Sequence, residues 1–206
     1  MIERTAEGLY CRAADAWVDP WRPVPRALIT HAHADHARAG CGEYWAVDVS
    51  EGVLRQRLGQ EICLHPVRYG EPIWLGQCRV SFHSAGHVLG SAQIRLESEG
   101  EVWVVSGDYK RDDDPSCAPF EPVTCDVLIT EATFGMPIYR WKPGSELAAE
   151  IRDWWQGDRS RPSLLFCYAF GKAQRLLAEL KAIGVEEEVL LHLSLIHISE
   201  PTRLSL

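Results

Sequence analysis

The 206-residue chain has no C-x-x-C pair, no apolar run near the ~18 residues of a membrane span, and no excess of positive charge. Its first residues, Met1-Ile2-Glu3-Arg4-Thr5-Ala6-Glu7, lack the basic-then-apolar order of a secretory leader. No membrane partner and a cytoplasmic location are therefore expected. The seven cysteines are scattered and odd in number, which favours reduced thiols over disulfides or a structural zinc knuckle, with Cys63 and Cys78 expected in apolar strands. A formal charge of −8 argues against indiscriminate binding to nucleic acid through global charge, though not against a local basic groove. Internal repeats are absent as well.

What is present is material for a core: 46% hydrophobic and 24% charged residues, enough for one sizeable domain or one domain and part of a second. Short strands with turn punctuation are predicted at 16–18, 27–30, 44–47, 62–64, 73–75, 79–83, 92–96, 102–106 and 127–130. The alternation in 79–83 and 93–97 predicts strands with one wet face. Ser50 is a candidate cap for a helix through Arg57 that stops at Gly59. After Gly135 the pattern changes. An amphipathic helix is predicted from Ser145 to Trp155, then a strand at 164–166, a helix from Lys172 to Ile183 closed by Gly184, and a further strand from Glu188. Strand, helix, strand is the start of a parallel α/β unit. Pro137 and Pro143-Gly144 mark the boundary.

The chemistry concentrates in His31-x-His33-x-Asp35-His36, three imidazoles and a carboxylate within six residues, directly behind Ala27-Leu28-Ile29-Thr30. Imidazole and carboxylate are ligands that zinc accepts, and such a cluster, if buried, is costly without a cation. His31 and His33 can face one ion, and Asp35 and His36 a neighbour roughly 3.5–4 Å away. Two further segments fit. His87 sits in a turn between Gly86 and Gly90, and Asp108 ends the apolar strand Val104-Val105-Ser106-Gly107. Alone, His87 reads as a loop histidine and Asp108 as a solvated strand-end carboxylate; the ordered set favours a metal centre. Asp19, followed by Pro20, reads as a turn residue.

In this order between strands, His31-x-His33-x-Asp35-His36, Gly86-His87 and Ser106-Gly107-Asp108 resemble the metallo-β-lactamase fold. Ser84–Ser91 followed by Thr130-Glu131-Ala132-Thr133-Phe134-Gly135, with Gly171-Lys172-Ala173-Gln174-Arg175 opening a helix, resembles its β-CASP nuclease branch. Trp21-Arg22-Pro23, Ser106-Gly107-Asp108-Tyr109-Lys110-Arg111 and Pro137-Ile138-Tyr139-Arg140-Trp141 are similar to bacterial ligase-associated DNA exonucleases, relatives of the mRNA 3′-end-processing nucleases.

The resemblance implies an α/β fold: an αββα sandwich over residues 1–140, with the beginning of an inserted parallel α/β domain over 141–192. It implies two zinc ions, or manganese: His31, His33 and His87 on the first, Asp35 and His36 on the second, Asp108 between them. Asp35 would orient the attacking water. Glu131 matches an acidic motif that orients a later histidine, which, with one further metal-binding histidine, has no counterpart here; relatives are expected to continue beyond this C-terminus. Leu193-Ser194-Leu195-Ile196-His197-Ile198-Ser199-Glu200-Pro201-Thr202-Arg203 resembles a translated sequencing adapter, so 193–206 is expected to be a read-through tail and His197 no ligand. The implied activity is metal-dependent phosphodiester hydrolysis, foremost as a DNA exonuclease in repair beside a DNA ligase and a helicase. An RNA endo- or exonuclease is the alternative, and a small-molecule metallo-hydrolase ranks below both. A non-catalytic scaffold is disfavoured because all six testable ligand positions are filled. Lys110, Arg111 and Lys172 are candidate phosphate contacts, against the plainer reading of solvated charges.

Overall fold

Alternating side chains build the sheet that carries most of the motifs. In a computed structural model, which describes residues 1–185, 189–192 and 195, Cys78, Val80 and Phe82 of β8 (Cys78–Ser84) and Ala92, Ile94 and Leu96 of β9 (Ala92–Ser98) are fully buried. Their neighbours face the other way. Arg79 pairs across the ladder with Glu97, Ser81 with Arg95 and His83 with Gln93. The sheet has the order β11-β10-β9-β8-β7, adding β7 (Ile73–Leu75), β10 (Glu101–Val105) and β11 (Val127–Ile129). All its pairings are antiparallel except β10 with β11. The ends of β8, β10 and β11 therefore lie along one side of the sheet.

A second mixed sheet runs in chain order through β1 (Ile2–Thr5), β2 (Gly8–Cys11), β3 (Ala16–Val18), β4 (Arg26–Leu28), β5 (Glu43–Val47) and β6 (Leu64–Val67). Its first two pairings are antiparallel and the last three parallel. Val18, Leu28, Trp45 and Val47 of this sheet share one core with Val80, Phe82, Ile94, Leu96 and Val105 of the other. Cys11 and Cys78 are buried in it as small apolar side chains. Helix α1 (Glu51–Leu58) packs through Val53 and Leu54 and ends at Gly59.

Several details depart from the sequence reading. The hairpin β1–β2 was not expected, because Glu3 and Arg4 interrupt its apolar residues; as the sheet's edge, β1 keeps both exposed. Strand β6 lies two residues later than 62–64 and contains Pro66, which an edge strand tolerates because no further neighbour needs its missing N–H. Cys63 is exposed ahead of it rather than in a strand. Ser50 gives α1 no side-chain cap; its hydroxyl donates to the Val47 carbonyl at 2.6 Å.

The chain divides into two compact units: Met1–Asp113 with Cys117–Glu131, and Asp114–Ser116 with the chain from Ala132 onward. In the second, α2 (Gly144–Gly157) packs on α3 (Lys172–Ala182) so closely that a Cβ at Gly144 would collide with the Glu179 carboxylate. Ala148 is fully buried, while Leu147 and Trp154 of the expected apolar stripe are exposed. The strand predicted at 164–166 does not form: no neighbouring strand pairs with it among the described residues, and Leu164 and Phe166 stand exposed. Residues 189–191 form no strand either, and Glu188, His197 and nearly all of the expected tail lie outside the described residues. Among the described residues no helix is long and apolar enough to cross a membrane.

Candidate metal centre

The side of the sandwich where β4, β8, β10 and β11 end is held together by backbone contacts. The Thr30 carbonyl, two residues past β4, accepts from the Ala92 N–H at 2.8 Å, tying the first motif to β9 of the other sheet. The Ser106 N–H donates to Ile129 at 2.9 Å, and the Lys110 N–H to Ala85 at 2.9 Å, fixing the chain on either side of Asp108. His33–Ala37 form one helix-like turn, with the Ala37 N–H on the His33 carbonyl at 2.8 Å. Two glycines permit the close approaches. A Cβ at Gly86 (φ +69°) would lie 2.4 Å from the Lys110 carbonyl oxygen, and one at Gly107 (φ +54°) 2.6 Å from the Thr30 side chain. Gly107→Ala is expected to cost about 1–3 kcal/mol, because it combines positive-φ strain with a steric clash. It should also weaken metal binding through displacement of Asp108; thermal unfolding and metal titration of the variant check both.

His31, His33, His87 and Asp108 each bring a ligand atom to within 4.8 Å of the others. His31 is buried, its Nε2 3.0 Å from His33 Nδ1 and 3.9 Å from Asp108 Oδ2. His87 Nε2 lies 3.4 Å from His33 Nδ1 and 3.5 Å from Asp108 Oδ2. The other oxygen, Asp108 Oδ1, is 3.4 Å from His36 Nε2. Asp108 thus stands between the imidazoles expected on the first ion and His36, expected on the second.

Electrostatics separates these imidazoles. Burial, reinforced by the surrounding histidines, lowers His31 well below its ordinary value. Burial also lowers His87, with Asp108 and Glu131 pulling the other way. Both therefore keep a free lone pair near neutral pH. Burial opposes charge on His36 too, but hydrogen bonds to Asp108 and Asp19 outweigh it and raise the ring to about 10, so a cation at the centre must displace the proton on Nε2 before this ring can ligate it. Asp108 is held low first by its hydrogen bond to His36. Nitrogen lone pairs and an ionised carboxylate converging on one point are a donor set for a divalent cation, and the residues fit one.

Asp19 has a larger role than a turn. Its Oδ1 accepts the Thr30 N–H at 2.8 Å, and its Oδ2 accepts the Thr30 hydroxyl at 2.6 Å and faces His36 Nδ1 at 2.8 Å. A carboxylate behind an imidazole fixes the ring and directs its other nitrogen toward the centre. The sequence held one signal for this: Asp19 ends an apolar strand, as Asp108 does. Asp35 is 76% exposed at the rim, its Oδ2 3.7 Å from His36 Nε2. Glu131 follows β11 and is half-buried. Lys110 donates to the Asp113 carbonyl at 3.3 Å, Arg111 is exposed, and in the other unit the Lys172 ammonium lies over the Tyr168 ring at 4.7 Å.

A brace behind the centre was also not foreseen. His83 bridges Ser81 at 3.0 Å and Glu121 at 2.9 Å, while the Gln93 amide donates to the Glu121 carbonyl at 2.6 Å. Together they bind the segment after Cys117 to β8 and β9.

No family model matches the chain. It is 32% identical over 181 residues to a probable DNA ligase of Opitutus terrae, a match covering 85% of this chain and 18% of that protein. Ribonuclease TTHA0252 of Thermus thermophilus is 31% identical over 195 residues, covering 81% of the chain and 44% of the ribonuclease. Cleavage and polyadenylation specificity factor subunit 3 of Dictyostelium discoideum is 29% identical over 138 residues, 66% of the chain and 18% of its own length. The chain thus spans less than half the length of these relatives. In fold it resembles the crystal structure of a protein of unknown function from Enterococcus faecalis, with TM-score 0.61 and 11% identity over 84% of this chain and 48% of that one. A processing factor, a ribonuclease and a probable ligase are thus each similar to about two thirds or more of this chain, relatives consistent with the β-CASP branch of the metallo-β-lactamase family that its motifs resemble.

Proposed function

We propose that this chain carries the metal centre of a phosphodiesterase acting on nucleic acid, with DNA the principal substrate and exonucleolytic repair its setting in the cytoplasm. The observation that carries this reading is the convergence of His31, His33, His87 and Asp108 on one point. His36, Asp35 and the far oxygen of Asp108 would hold a second ion, and Glu131 would support a proton-donating group. Two zinc ions, or manganese in their place, would supply Lewis-acid activation of water and neutralise charge on the phosphate. The chain's own contributions are distinct. Asp108 holds imidazoles of both halves in register, Asp19 fixes His36, and Asp35 at the rim would accept a hydrogen bond from the attacking water and so orient it. Lys110 and Arg111, both after Asp108, and Lys172 are offered to phosphates. The similarity to a DNA ligase over most of the chain favours DNA and functional association with a ligase and a helicase. RNA is the second reading, favoured by the likeness to the Thermus ribonuclease. Residues 141–192 would begin an inserted domain.

The test is cleavage of end-labelled single-stranded DNA, double-stranded DNA and RNA with zinc or manganese. Metal-dependent shortening of DNA, faster than that of RNA, is expected. Cleavage of RNA alone would replace the DNA reading, and no cleavage of any polymer beside hydrolysis of a small ester would overturn the proposal.

A further inference from the structure

The metal centre makes no use of three exposed aromatic rings in the second unit. Phe134, Tyr139 and Trp141 are 56%, 42% and 70% exposed, although such rings are among the strongest contributors to a folded core. The planes of Tyr139 and Trp141 are 9° from parallel, with centroids 6.4 Å apart. Phe134 stands across both, at 79° and 5.1 Å from Tyr139 and at 87° and 5.4 Å from Trp141. Two near-parallel walls and a perpendicular third ring outline an open slot.

The spacing decides what fits. Rings in face-to-face contact approach to about 3.5 Å, so a planar ring between two walls needs roughly 7 Å. The 6.4 Å between centroids is the widest the two planes can stand apart, so a guest needs an opening of at least about half an ångström, which small torsions of exposed side chains supply. The geometry points to a stacking slot for one unpaired nucleobase of a single-stranded nucleic acid. This rests on the nucleic-acid reading above and adds a binding residue set to it. Every base offers a π-face, so such a slot is tolerant of sequence. Arg140, between the two walls in the chain, supplies a cation for the adjoining phosphate, whereas Lys142 is already paired with Glu146 and Glu150. The box contains no carboxylate, and Arg140 beside it disfavours a quaternary ammonium ligand, the other guest that aromatic boxes accept.

The test is binding of the whole chain to a fluorescent oligothymidylate in EDTA, where no cleavage accompanies binding, with a backbone of the same length whose central bases are removed as the control. Trp141→Ala and Tyr139→Ala are expected to weaken binding of the intact strand roughly 5- to 100-fold. Trp141→Phe should keep most of the affinity, and 2-aminopurine placed in the strand should be quenched by the wild type and not by Trp141→Ala. On the abasic strand the alanine variants should match the wild type. Equal affinity of Trp141→Ala and wild type for the intact strand, or an equal loss on both strands, would overturn the slot, as would binding of choline without binding of any oligonucleotide. The two proposals fail separately. Metal-dependent cleavage with ring-independent binding removes the slot and leaves the nuclease, and ring-dependent binding without cleavage does the reverse.

Discussion

Replacing Asp108 by alanine is expected to abolish metal-dependent phosphodiester cleavage, lowering the rate by well over 100-fold, while the sandwich still folds. Asp108 lies in the loop after β10 and is partly exposed. Its two oxygens face His36 at 3.4 Å, His87 at 3.5 Å and His31 at 3.9 Å. Among the described residues it is the one anion in the four-residue donor group, so its loss leaves neutral imidazoles to face a divalent charge. Removing a group that merely supports a ligand costs about 10- to 100-fold in metal affinity or activity, and removing the shared ligand should exceed that. Rates on labelled DNA, with circular dichroism as the check on folding, decide it. Wild-type turnover by the variant would contradict the assignment of the centre.

Asp19→Asn is expected to have the next largest effect, and it distinguishes a positioning role from a simple turn. The carboxylate only accepts hydrogen bonds, so His36 Nδ1 carries a proton toward it and Nε2 is left to face the centre. An asparagine keeps the oxygen that accepts the Thr30 N–H but turns an NH2 toward Thr30 and His36. The imidazole must then accept at Nδ1 and hold its proton on Nε2, the wrong tautomer for a ligand. Metal affinity should fall about 10- to 100-fold with little change in stability. Asp19→Ala should lose stability as well, by about 1–3 kcal/mol, because the Thr30 N–H and hydroxyl lose their acceptor. A metal titration and a melting curve for each variant separate the two effects. An asparagine variant with undiminished metal affinity would show that Asp19 only shapes the turn.

What could be read from the sequence follows what local chemistry determines. Strands β8 and β9 were legible because apolar and polar residues alternate without interruption from Cys78 to His83 and from Ala92 to Glu97. The metal group was legible because His31, His33 and His36 are close in sequence and Gly86 and Gly90, on either side of His87, mark a tight turn. Hidden from it was whatever depends on a distant partner. Asp19 reaches Thr30 and His36 across the parallel pairing of β3 with β4, and no spacing rule reports that contact. The brace from His83 to Glu121 spans 38 residues and links a strand to a loop with no periodicity. The apolar run at 164–166 looks like a strand by composition, yet a strand exists only where another backbone completes its hydrogen bonds.

The measurement that bears most directly on the centre is the stoichiometry of divalent cation binding, by titration calorimetry with zinc and with manganese followed by metal analysis of the dialysed protein. Two ions per chain are expected for the wild type, with affinity collapsing in Asp108→Ala and reduced at one ion in His87→Ala. A chain that binds neither cation, or binds both equally well without Asp108, would contradict the metal centre and the hydrolytic function built upon it.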